Sequence, residues 1–244
     1  MNSIISVTDN TQHYLNLEER YGAHNYHPIP VVLNHGEGVF LYDVDNKRYY
    51  DFLSGYSAVN QGHCHPKIIA TLVEQAQKLT LTSRAFHSNL LGEYEKYITG
   101  YFGYDKVLPM NSGVEAVETA IKLARHWGYK VKSIEQNRAK IIVCSNNFHG
   151  RTTGVISFSN DSTATTDFGP FIPGYETIPF NDLVALEKAL QDKTVCGFLF
   201  EPIQGEAGVV VPDEGYYKGI RTLCTEYNVL MIADEIQTGL ARTG

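Results

Sequence analysis

Apolar positions in this chain change their period along its length. From Val31 to Phe52 they come as short β-prone runs: Val31-Val32-Leu33, Gly38-Val39-Phe40-Leu41-Tyr42 and Arg48-Tyr49-Tyr50-Asp51-Phe52. Asp43-Val44-Asp45-Asn46-Lys47 joins the last two with residues that accept turn geometry. A small antiparallel appendage is therefore expected, after an irregular N-terminal stretch. Helical periodicity then appears in Pro66 to Leu79, with Ile69, Leu72, Val73 and Ala76 on one face, and again in Asn89 to Phe102 and Ser112 to Tyr129. Beyond these, Lys140 to Cys144, Thr153 to Phe158, Val195 to Phe200 and Val229 to Ala233 read as strands, and Asp182 to Leu190 and Tyr216 to Tyr227 as helices. Lys106 to Met110 reads as a short strand before the third helix, and the Ser/Thr/Gly/Pro-rich stretch Asp161 to Gly174 as a long surface loop. Helices alternating with apolar runs of five or six residues imply an α/β fold with a mostly parallel sheet covered on both faces.

Composition narrows the class. With 43% hydrophobic and 19% charged residues, the 244-residue chain has the make-up of an ordinary soluble globular protein. A formal net charge of -7 argues against nucleic acid or an anionic membrane as partner, while leaving room for a local anion pocket. No run approaches the ~18 consecutive apolar residues of a membrane span. Met1 to Arg20 fits neither a secretory signal nor an Arg-rich transit peptide. Cys64, Cys144, Cys196 and Cys224 stand far apart, as in a reduced intracellular protein, and a cytoplasmic location is expected.

Four segments carry candidate chemistry. Ser112 and Glu115 have the spacing of a capping box. Gly113 would let a ligand approach the backbone N–H groups of Gly113 and Val114 at the helix start; the plainer reading is a well-capped helix. Asn147-Phe148-His149-Gly150-Arg151-Thr152 follows the Ile141–Cys144 run. There Phe148 can stack on a flat ring and Arg151 can grip a carboxylate, unless they are a core aromatic and a surface ion-pair partner. Glu201 and Glu206 lie on a Gly-containing loop after another strand, suited to a cation or simply solvated. Asp234-Glu235-Ile236-Gln237 closes the series. Strand alternation sends Asp234 and Glu235 to opposite faces, and a buried carboxylate kept ionised needs a cationic partner such as a protonated ring nitrogen.

Other motifs are weaker. Gly62-His63-Cys64-His65-Pro66 is too tight for a structural zinc site and reads as a polar helix entry with Pro66 in the first turn, so no metal is expected. His35-Gly36-Glu37-Gly38 lacks the third glycine of a dinucleotide fingerprint, and neither a Walker A nor a G-x-S-x-G pattern occurs. The four strand-end groups make sense together if one ligand joins an anion, a flat ring and a protonated nitrogen, as pyridoxal 5′-phosphate does.

Those residues, with Gly22 to Pro28, Tyr56 to His63, Leu81 to Phe86, Glu201 to Pro212 and Ala233 to Gly244, resemble the class III, fold-type I pyridoxal-phosphate aminotransferases, and within them the branch acting on ornithine. The match runs from about Tyr21 to the last residue. It implies a fold-type I large domain, incomplete, over residues 58–244, and an N-terminal small-domain segment over residues 1–57. It also implies roles. Gly113 and Val114, with Ser112, would hold the phosphate and Phe148 would stack on the ring. Asp234 would pair with the ring nitrogen, Gln237 would contact the phenolic oxygen, and Glu201 would support the site. Arg151 would take the substrate α-carboxylate, Tyr26 the α-amino group, Tyr56 would line the pocket, and Glu206 would pair with an arginine further on.

The implied reaction is transfer of the δ-amino group of L-ornithine to 2-oxoglutarate by a homodimer. The alternatives are another ω-amino-acid aminotransferase, acting on acetylornithine, 4-aminobutyrate or lysine, and a non-catalytic binding protein on the same fold. In the family the Schiff-base lysine lies past the Asp-Glu-x-Gln strand. The resemblance therefore implies a longer chain, with no turnover expected from these 244 residues by themselves. His149 stands where some relatives carry tryptophan, and the resemblance assigns it no role.

Overall fold

The computed structural model describes residues 7–243 and divides into two compact units, one running to Lys96 and one from Tyr97. The first opens with helix α1 (Asp9–Tyr21), where an irregular stretch was expected. Its apolar periodicity is weak; polar contacts hold it instead. Thr8 caps it by accepting the Thr11 N–H, and the hydroxyls of Thr8 and Thr11 both donate to Asp45, each at 2.8 Å. Strands β1 (Leu33–Glu37), β2 (Phe40–Asp43) and β3 (Arg48–Tyr50) form the expected antiparallel sheet in the order β1-β2-β3. β1 starts at Leu33 rather than ending there. The β2–β3 turn is organised by Asp43, whose carboxylate accepts the N–H groups of Asp45 and Lys47 and the Tyr49 hydroxyl, while Asn46 takes the left-handed conformation.

A four-residue turn, α2 (Ser54–Ser57), follows, with positive φ at all four residues. Helix α3 (Pro66–Lys78) begins at the expected proline, and the preceding His63 is committed to Asp51 at 2.7 Å. The expected apolar face of α3 exists, but Ile69, Leu72 and Val73 are exposed in this chain. The boundary between the units falls within α4 (Asn89–Phe102).

The second unit is the parallel sheet. Helix α5 (Gly113–Lys130) leads into β4 (Lys140–Cys144). The one-turn helices α6 (Thr153–Ile156) and α7 (Ser162–Thr165) follow, then β5 (Tyr175–Ile178), α8 (Leu183–Leu190), β6 (Val195–Phe200), α9 (Tyr216–Glu226) and β7 (Leu230–Ala233). The sheet order is β5-β4-β6-β7, all parallel. One core lies between the sheet and α8 and α9, around Ile142, Phe198, Phe200, Leu186 and Ile220. The other lies against α5, around Ile141, Val143, Leu199, Val117 and Ile121. β6 is buried at every residue, as expected of a strand covered on both faces.

Three expectations are corrected here. Lys106 to Met110 forms no strand: Leu108 is exposed and no neighbouring strand pairs with the segment among the described residues. Thr153 to Phe158 is a helical turn closed by the Ile156 N–H on the Thr152 carbonyl. It buries the consecutive residues Val155 and Ile156, which a strand would send to opposite faces. β5 went unread because it is an edge strand with only Ile178 buried.

Candidate active site

At its carboxyl edge the sheet offers a crevice. β4 is followed by α6, which joins the core on the α5 face, whereas β6 is followed by α9 on the other face. Connections leaving adjacent strands toward opposite faces open a gap between the strand ends, the usual ligand position in α/β sheets. The cavity found there is about 350 Å³ and is lined by residues from α5 and from the segments following β4, β6 and β7. Gly113, Val114, Phe148, Arg151, Glu201, Asp234 and Gln237 are among them.

The α5 end is built as the sequence suggested. Ser112 Oγ accepts the Glu115 N–H at 3.4 Å, and Glu115 Oε2 accepts the N–H groups of Asn111 and Ser112 at 3.0 and 3.1 Å. The Ala116 N–H goes to the Ser112 carbonyl. That leaves the N–H groups of Gly113 and Val114, at the positive end of the helix dipole, for an anion. Ser112 itself serves as the cap and does not line the cavity. The Phe148 turn lies close against this end. Gly150 has φ +120°, and a Cβ there would meet Val114 Cγ2 at 2.6 Å, so only glycine lets the two segments approach.

Phe148 and Arg151 are neighbours, the guanidinium carbon 5.5 Å from the ring centroid. The Phe148 N–H donates to Glu201 Oε2 at 3.2 Å, which ties the turn after β4 to the end of β6. Burial pushes the Glu201 carboxyl up to about 7, with the neighbouring Asp234 adding to the rise, while His149 and the Phe148 N–H oppose it.

Asp234 and Glu235 do face opposite ways: the first lines this cavity and the second a separate depression beside Phe200 and Tyr217. Asp234 Oδ1 accepts the Ile236 N–H at 3.1 Å and Oδ2 lies 2.6 Å from His149 Nδ1. His149, left without a role in the sequence, is thus a member of the site. A carboxylate only accepts, so Nδ1 carries the hydrogen. The imidazole side chain is 0% exposed and its Nε2 is buried without a partner. The only sequence signal for it was its place beside Phe148 at a strand end.

Gln237 Nε2 donates to Glu206 Oε1 at 2.9 Å; Gln237 lines the cavity and Glu206 does not. Tyr26 and Tyr56 belong to the first unit. Tyr26 lines a separate cavity of about 360 Å³ with Glu19 and His24 near the end of α1, and Tyr56 is in the left-handed turn, with φ 56°. Neither is among the residues lining the strand-end cavity. Among the described residues no three His, Cys, Asp or Glu side chains cluster as a metal site. No helix among them is long and apolar enough to cross a membrane.

The donor set fits a group with an anionic tail, a flat ring and a protonated ring nitrogen. Two free N–H groups stand at a helix start, an aromatic face lies beside them, and a carboxylate fixed on both oxygens closes the cavity. Fold and site together define an α/β sheet protein with a strand-end pocket for an aromatic, anionic ligand. Residues 21–244 match the family model described as aminotransferase class-III, and the chain belongs to that family.

Among curated relatives it is 65% identical over 227 residues to the mitochondrial ornithine aminotransferase of Drosophila melanogaster, covering 93% of this chain and 53% of that one. The crystal structure of the Toxoplasma gondii ornithine aminotransferase with PLP at partial occupancy in its active site superposes with a TM-score of 0.94 at 48% identity. It covers 96% of this chain and 55% of the other. The acetylornithine aminotransferase of Elizabethkingia anophelis gives a TM-score of 0.85 at 63% identity, with 97% and 58% covered. The chain thus spans about half the length of the curated relatives it matches.

Proposed function

We propose that this chain supplies the cofactor-binding side of a pyridoxal-phosphate aminotransferase that moves the δ-amino group of L-ornithine to 2-oxoglutarate, giving glutamate 5-semialdehyde and glutamate. The observation that carries the reading is the convergence of Asp234, Phe148 and the N–H groups of Gly113 and Val114 on one cavity. When bound there, pyridoxal 5′-phosphate supplies the electron sink for removing a proton from the substrate carbon. The chain's own residues bind and orient. Gly113 and Val114 would hold the phosphate, and Phe148 would cover the ring. Asp234, fixed by His149 and the Ile236 N–H, would keep the ring nitrogen protonated, and Gln237 would meet the ring oxygen. Glu201 holds the Phe148 turn in place, and Arg151 would take the substrate α-carboxylate. The family resemblance supports substrate-binding roles for Tyr26 and Tyr56 and an ion-pairing role for Glu206.

Residues 1–57 are read as part of the small domain and 58–244 as part of the large one. The antiparallel sheet lies within the first span and the parallel sheet within the second, while the compact units themselves divide between Lys96 and Tyr97. A homodimer is proposed as the working state, supported by the exposed apolar face of α3. For location we propose the cytoplasm. The free cysteines support a reducing compartment, and cell fractionation decides between the cytoplasm and the mitochondrion named for the fly relative.

No lysine lines the cavity among the described residues. The 244-residue chain by itself is therefore expected to bind the cofactor in the cavity without covalent attachment, so that borohydride fixes none of it at the cavity residues. Titration with pyridoxal 5′-phosphate tests the reading. Saturable binding that weakens at least tenfold in Asp234→Ala is expected; absent binding, or binding indifferent to Asp234, overturns it. A second substrate reading, acetylornithine, is favoured by the Elizabethkingia neighbour. With a complete chain that carries the Schiff-base lysine, relative transamination rates on ornithine and acetylornithine, with and without Tyr26→Phe, separate the two.

A further inference from the structure

Gln237 and Glu206 reach each other from different strand ends, and the contact ties the cavity wall to a carboxylate outside it. The loop carrying Glu206 is closed at its base by a pair of backbone bonds, Gln204 N–H to the Val210 carbonyl at 3.1 Å and Val210 N–H to the Gln204 carbonyl at 2.9 Å. The N–H groups of Gly208 and Val209 both turn back to the Gly205 carbonyl. The Gln237 amide is seated against the bare α-carbon of Gly205: a Cβ there would stand 2.3 Å from Gln237 Oε1 and 3.2 Å from its Cδ. An amide presents a donor on one side and an acceptor on the other. Glu206 only accepts, so its bond at 2.9 Å settles which way the amide lies. A flipped amide would set Oε1 against the carboxylate.

We propose that Glu206 is a positioning residue for Gln237, holding the amide so that the second hydrogen on Nε2 remains for an anionic ring oxygen in the cavity. The proposal rests on the pyridoxal-phosphate reading of that cavity.

The test uses the chain itself with two probes, pyridoxal 5′-phosphate and its analogue lacking the ring hydroxyl, and with the Gln237 side-chain amide resonances of the ligand-free protein. Glu206→Ala, Glu206→Gln and Gly205→Ala are compared with Gln237→Ala, each checked for an unchanged melting temperature. Glu206→Ala and Gln237→Ala are each expected to raise the Kd for pyridoxal 5′-phosphate by about three- to tenfold. The double variant should bind no worse than Gln237→Ala, because both changes remove one unit. The analogue should bind all of them alike. Gly205→Ala, which displaces the amide without touching charge, should reproduce the loss.

Additive losses, equal losses with the analogue, or an unchanged Kd in Glu206→Ala would each overturn the proposal. If the wild-type chain binds neither probe, the cavity reading fails, and the amide resonances decide the contact: a shift in Glu206→Ala supports it and an unmoved signal refutes it.

Discussion

Glu201 gives the sharpest test of how this site is built. Glu201 is 7% exposed, and burial raises its carboxyl from an ordinary value of 4.5 to about 7. Between those values the folded chain holds a proton that the unfolded chain has released. Stability therefore falls as pH rises through that window, by about 1.4 kcal/mol per pH unit and by about 3 kcal/mol across it. Glu201→Gln removes the titration. Its amide oxygen still accepts the Phe148 N–H, which Glu201 accepts at 3.2 Å, so the turn after β4 keeps its anchor. The variant should match the wild type near pH 4.5 and exceed it at pH 8 by about 3 kcal/mol, or on the order of 6–12 °C in melting temperature for a domain of this size. The assay is a pair of urea or thermal melts at the two pH values, with the difference between variant and wild type as the readout. A difference that does not grow with pH would show that Glu201 is solvated or already paired, and the argument for a dry strand-end pocket would fail with it.

Other perturbations probe separate parts of the structure. His149→Phe removes the buried donor to Asp234 and should cost about 2 kcal/mol in urea melts, with His149→Asn, which keeps a donor near the Nδ1 position, recovering part of it. Ser112→Ala loses the cap of α5 and should cost about 1 kcal/mol by the same measurement. Phe198→Ala empties a site that is fully buried in the sheet core and stacked on Phe200 at 5.3 Å. It should cost about 3–5 kcal/mol, and a loss below 1 kcal/mol would mean that β6 is not central.

What was legible in the sequence follows from burial. β4 and β6 are covered on both faces and read as continuous apolar runs, so the α/β alternation could be seen without the structure. β5 could not, because Glu176 and Thr177 give an edge strand no apolar pattern. Nor could α1, whose stability comes from Thr8, Thr11 and Asp45 rather than from an apolar stripe. The site was legible where residues stood at strand ends, as Phe148, Glu201 and Asp234 do. His149 was missed because its meaning lies in a partner 85 residues away, and no local pattern carries that.

The two site carboxylates owe their direction to packing far from any ligand. Leu199 is fully buried on the α5 face of β6, and Ile232 packs toward the same core from β7. Side chains alternate along a strand, so Glu201, two residues past Leu199, and Asp234, two past Ile232, continue onto that face. It is the face where the start of α5 presents its N–H groups. Glu235, one residue out of step, points to the other side beside Met231. A one-residue slip in either strand would turn its acid away and bury a mismatched core at once. The register that fills the core therefore also fixes which acids face the helix start across the cavity and which one is turned away from it.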